Sequence, residues 1–150
     1  MLSGKLVRLI ESHEQEITNR LLREIHHYPD LFHLRQLPQA ELRERYRNLL
    51  QNLGYWLAEA NEEELARRYE SLGRTRFDEG IPLHENVRAL FLVKEKMIDF
   101  IGEQGFNPDA LELYAEEEME HRVGRFFDLL VWRMVRGYES AWRKAAQAVA

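Results

Sequence analysis

The chain contains no cysteine. That single absence excludes disulfides, thiol nucleophiles, iron–sulfur clusters and cysteine-ligated zinc. It also fits a cytoplasmic setting, where thiols are kept reduced. A clustered positive charge is missing too. The net charge is −5, whereas a nucleic-acid module needs a basic face to meet phosphates. No apolar run approaches the length of a membrane span. The N-terminal MLSGKLVRLI passes straight into charged ESHEQE, without the apolar core or cleavage site of a signal peptide. A soluble protein, with neither nucleic acid nor membrane as partner, is expected.

Catalytic signatures are equally scarce. None of Ser3, Ser12 and Ser71 sits in a Gly-flanked elbow of the kind that exposes a nucleophile. No Gly-rich phosphate loop is present. The sequence therefore points away from an enzyme.

What is present is a pattern. The 150 residues are 45% apolar and 31% charged, a globular composition rich in charge and of a length that suits one domain, 1–150. Apolar residues recur in steps of three and four, the mark of helices burying one face. The first helical segment carries Leu2, Leu6, Leu9, Ile10, Ile17, Leu21 and Ile25, and stops before Pro29, since a residue preceding proline is pushed out of the helical region. A second starts after Pro38 with Leu42, Tyr46, Leu49, Leu53, Trp56, Leu57 and Ala60. Asn61 is placed to cap a third, which runs through Leu65, Tyr69, Leu72 and Phe77 to Gly80. Pro82 opens a fourth, and Asn107-Pro108 launches the longest, from about Asp109 to Ala146. Straight, that last helix measures about 55 Å, so it either bends near Gly124 or Gly137 or projects from the body. No stretch alternates with period two. The expected fold is all-α: a five- to six-helix, globin-like or bundle-like domain with a long C-terminal helix.

Several constellations could carry chemistry. His84-Glu85 is similar to the phosphoacceptor box of sensor histidine kinases, but Asn86-Val87-Arg88 follows in place of Arg-Thr-Pro. The simpler expectation is a surface His84 and a Glu85 favoured by the helix dipole, after a short ordered turn at Gly80-Ile81-Pro82. Two Glu-x-x-His pairs, Glu24 with His27 and Glu118 with His121, have the spacing used by di-iron bundles. His13 lies nearest an apolar stripe and is the candidate for a proximal haem ligand. These residues define the alternative reading, a haem- or metal-binding helical protein. The preferred reading has no cofactor, no metal ligand and no catalytic residue.

Two features concern packing. Gly73 inside a helix costs about 1 kcal/mol relative to Ala, and such a residue often allows a neighbouring backbone to come close. The last helix carries Phe126, Phe127, Leu130, Val131, Trp132, Met134, Val135, Tyr138 and Trp142, more apolar surface than one face needs. A helix of that kind is buried centrally or against a second copy of itself.

The pattern Tyr69-x-x-Leu72-Gly73-Arg74-x-Arg76, then Gly80-Ile81-Pro82-Leu83, then Val87-Arg88-Ala89-Leu90, resembles the N-terminal sensory domain of the RsbT co-antagonist (RsbRD-type) proteins of bacterial stressosomes. Phe126-Phe127-Asp128 with Gly137-Tyr138 is similar to the last helix of the same domain. The resemblance covers about residues 15–145. It implies a helical domain that dimerises, receives a signal or protein partner, and passes the effect along its last helix to an output domain. No STAS output domain is expected after residue 146, so the chain reads as a stand-alone sensor-like protein or an excised input domain. The expected partner or dimer contacts are Arg74, Arg76, Trp132, Tyr138 and Trp142. The function expected is non-enzymatic signal transduction by a cytoplasmic bacterial homodimer.

Overall fold

The computed structural model describes the backbone of residues 2–104 and 110–149, and the side chains of 4–104 and 117–149. Seven α-helices occur among the described residues: α1 Leu2–Ser12, α2 Glu14–His27, α3 Gln39–Gln51, α4 Leu53–Leu57, α5 Glu62–Asp78, α6 Leu83–Gly102 and α7 Ala110–Val149. Short 3₁₀ turns at Pro29–Leu31, Leu34–Gln36 and Glu59–Asn61 fill the links. No strand occurs among the described residues, and the all-α expectation with its long last helix holds. The expected helix start at Asn107-Pro108 lies outside the described residues, as do the side chains of Leu111 and Tyr114.

Two expected helices are each divided. The first breaks at His13, whose ring Nδ1 lies 2.9 Å from the Leu9 carbonyl oxygen and whose backbone leaves helical geometry. The second breaks at Asn52, whose amide turns back to donate to the Asn48 carbonyl. Asn61 does not cap α5 with its side chain; its amide donates instead to the Tyr55 carbonyl at 2.9 Å. Short polar side chains compete for nearby backbone groups in this way, and periodicity alone does not reveal which bond wins.

The core is one continuous cluster. Ile10, Ile17, Leu21 and Ile25 from α1 and α2 meet Leu50 and Leu53, the α6 residues Leu92, Val93 and Met97, and Val123, Phe127 and Leu130 of α7. The most extensive helix pair is α5 against α7. α7 has 40 residues, about 60 Å at 1.5 Å per residue. It runs without a break, and every described side chain after Ala141 is exposed. The C-terminal end of the last helix therefore projects from the body.

The corner between α5 and α6 follows from two residues. Gly80, at φ 78°, is the positive-φ residue of the described chain. Its N–H bonds to the Phe77 carbonyl at 3.0 Å, and the Ile81 N–H to the Arg76 carbonyl at 3.0 Å. That paired closure is the Schellman arrangement, which needs a left-handed residue just past the helix. Pro82, with its φ fixed at −58°, then stands at the N-cap of α6. The corner is a short ordered turn, and His84 is exposed in the first turn beyond it.

Candidate interaction site

Gly73 and Gly137 set the distance between α5 and α7. A Cβ on Gly73 would stand 2.3 Å from the Met134 carbonyl oxygen and 3.1 Å from the Gly137 Cα. A Cβ on Gly137 would stand 2.1 Å from the Glu70 carbonyl oxygen. The expected close approach at Gly73 is present, and α7 is the neighbour. Flanking ion pairs bind the same two helices: Glu70 lies 3.1 Å from Arg133 and 3.9 Å from Arg136, and Glu63 lies 3.4 Å from Arg133.

Tyr138 ties α7 to the α5–α6 corner. Its hydroxyl donates to the Ile81 carbonyl at 2.8 Å and accepts from the Asn86 amide. Its ring meets Phe77 edge-on. Burial pushes the phenol up to about 12. Arg76 lies on the other side of the corner, 1% exposed, with Glu79 at 2.8 Å and Glu41 at 2.9 Å. Burial opposes its charge, but the bonds to Glu79 and Glu41 outweigh that and hold the guanidinium above its ordinary value. Arg76 and Tyr138, two of the candidate partner contacts, are buried, with one Arg76 nitrogen and the Tyr138 hydroxyl bonded inside this chain. Arg76 resembled a helix-end cation because its carboxylates come from elsewhere: Glu41 is 35 residues away. Arg74 is exposed, as is the opposite face of α7.

That face is sharply divided from the inner one. Met134, Gly137, Tyr138 and Ala141 turn inward. Trp132 at 56% exposure and Trp142 at 62% turn outward. Arg133 and Arg136 each lie 5.6 Å from the Trp132 ring centre, a cation–π arrangement that leaves one edge of the indole in solvent. Trp132, Val135, Glu139, Trp142, Ala146 and Val149 follow one another in steps of three, four, three, four and three. That spacing matches the a/d repeat, with only Glu139 polar. The steps were legible in the sequence but lay mixed with the inward residues of the same helix. The structure separates them.

Buried Glu85 and the turn at exposed His33 form a clasp that the sequence did not reveal. Glu85 is 1% exposed. One carboxylate oxygen accepts the N–H groups of His33 at 2.8 Å and Leu34 at 3.2 Å; the other lies 2.8 Å from His33 Nδ1. Glu85 lies in the first turn of α6, as its dipole-favoured reading requires, and also caps the turn that precedes α3. With one oxygen taken by two backbone donors, the pair reads as a structural tie.

The remaining histidines are dispersed. His13 is exposed and packs on Phe100 with ring centres 5.2 Å apart. His26 and His27 are exposed at the end of α2, and Glu24 pairs with Lys96. His121 is exposed on α7. Among the described residues no three His, Asp or Glu side chains come together as metal ligands. No described helix is long and apolar enough to cross a membrane.

These features define an all-α domain whose last helix is locked to the body along one side and bare along the other. The chain belongs to the family of the RsbT co-antagonist protein rsbRD N-terminal domain, whose model matches residues 14–150. No curated protein and no solved structure matches the chain.

Proposed function

We propose that this domain is a non-enzymatic bacterial sensory input domain that acts through helix packing and homodimerisation. The observation that carries the reading is the outward seam of α7, from Trp132 to Val149, on a helix whose inner face is fixed to α5. Two exposed tryptophans ten residues apart on one stripe are costly in water, and a two-fold mate covers both with the same surface. Residues 125 and 128, one heptad earlier, are Arg125 and Asp128, so the seam begins at Trp132 and runs into the projecting end. Pairing there leaves the body of the domain unhindered. The proposed arrangement is parallel, with each seam residue opposite its own copy.

In this reading a change in the body reaches the seam through the Gly73–Gly137 crossing and the Tyr138 tie. Packed backbones at that spacing do not deform gradually; α7 moves with α5 as a unit. The readout is a protein partner or an output domain joined to α7, in the manner the family name associates with RsbT co-antagonists. The setting proposed is cytoplasmic.

Light scattering at micromolar concentration tests this reading. The wild type is expected to run as a dimer. Trp132→Glu and Trp142→Glu are each expected to shift it toward monomer with unchanged helical content. A monomeric wild type removes the basis of the proposal, and so does a dimer indifferent to both substitutions.

A further inference from the structure

On the side of α5 that faces away from α7, a groove of about 690 Å³ runs between α5 and α3 and is lined in part by Trp56. That volume falls in the range of small-molecule sites. Its walls mix apolar surface from Leu49, Leu65, Leu72 and the Trp56 ring with several charged groups. The charges are not evenly matched. Each acid has a partner: Glu41 pairs with buried Arg76, Glu64 accepts from the Tyr55 hydroxyl at 2.7 Å and faces Arg68, and Glu44 faces Arg47 at 3.5 Å. Two cations have none. Arg45 and Arg67 line the groove, and no carboxylate among the described residues lies within ion-pairing distance of either.

Arg45 is the more telling of the two. It is partly buried, and its Nε is sealed from solvent without a hydrogen-bond acceptor from the protein. Burial, then the neighbouring Arg76 charge, lower its pKa from the ordinary value. A half-buried guanidinium beside another cation, with only the more distant Glu41 charge to offset it and no ion-pair partner among the described residues, costs the free protein stability. An external anion relieves that cost, and the guanidinium fork matches a planar carboxylate in particular.

We propose that the α3–α5 groove binds a small organic carboxylate, with its anionic head on Arg45 and its apolar body along Trp56 and Leu65. Arg67 at the rim adds attraction without a defined bond. The site deepens the sensory reading, since it names the chemistry of a signal, but binding is read directly and does not depend on how α7 pairs. The link to α7 is geometric. Leu65, Tyr69 and Leu72 face the groove while Glu70 and Gly73 face α7, so a ligand seated there presses on the helix that holds α7.

The test is a proton–nitrogen NMR titration of the full chain with benzoate, using benzyl alcohol as the uncharged control. Benzoate is expected to shift the Arg45 Nε–H and Trp56 indole N–H signals saturably at millimolar concentration, while benzyl alcohol leaves them unsaturated. Arg45→Met is expected to weaken benzoate binding about tenfold or more while keeping or raising the thermal midpoint of the free protein. Arg45→Lys, which keeps the charge without the fork, is expected to lie between. The proposal is overturned by an absence of saturable shifts, by equal binding of benzyl alcohol, or by undiminished binding in a folded Arg45→Met. Dimerisation, measured on the same samples, can fail or hold separately.

Discussion

Gly73 and Gly137 meet where α5 crosses α7, so close that a methyl group on either would stand within 2.3 Å of a carbonyl oxygen of the other helix. Backbone cannot move aside as a flexible side chain can. Gly73→Ala and Gly137→Ala are therefore expected to destabilise the domain by about 2–4 kcal/mol each, despite a gain of about 1 kcal/mol in helix propensity. The two losses are not expected to add, because either substitution already forces the helices apart. Gly124→Ala is the control: a Cβ there meets nothing within 4 Å, so a gain of up to about 1 kcal/mol is expected. Denaturant unfolding of the three variants checks the ordering.

The Glu85 clasp gives a second contrast. Glu85→Ala removes the acceptor of two N–H groups, at His33 and Leu34, and is expected to cost about 2–3 kcal/mol. His33→Ala removes only an exposed ring and is expected to cost under about 1 kcal/mol. Equal losses in thermal or denaturant unfolding would mean that the clasp is an ion pair rather than a backbone cap.

Alkaline stability follows from three buried phenols. Burial raises Tyr46 to about 12 and Tyr138 to about 12, and raises Tyr69 as well. The unfolded phenols titrate at about 10. Between those values the unfolded chain gives up protons that the folded chain keeps, so stability falls as pH rises. The contribution is complete below about pH 10 and is lost as pH passes the folded values. Tyrosinate absorbance is expected to show an early class, then a late class that appears together with loss of helical circular dichroism. A single early class for all tyrosines contradicts the burial assigned to Tyr46 and Tyr69.

Much of this arrangement was legible in the sequence. Steps of three and four located the helices, and Gly80 with Pro82 located the corner, because both signals are local. Gly73 signalled a close approach through its cost to the helix, although the sequence did not say which helix comes near. What stayed hidden depends on distant partners. Arg76 reads as a helix-end cation until Glu41 arrives from α3, and Glu85 reads only as a dipole-favoured first-turn acid until the His33 turn folds over it. Trp132 and Tyr138 are both aromatic residues on one apolar helix. Only the position of α5 decides that one faces water and the other the corner. Arg45 gave no signal at all, since a cation's lack of a partner is a property of the folded chain.

The parallel α7 seam is tested most directly by cross-linking, because a chain without cysteine makes every introduced thiol unambiguous. In a parallel pair, Ala146 and Val149 each face their own copy across the axis, while Lys144 lies on the far side of the helix. The account predicts that Ala146→Cys and Val149→Cys form a covalent dimer readily under mild oxidation, and that Lys144→Cys does not. Equal cross-linking at all three positions, or none at Ala146 and Val149, would contradict it.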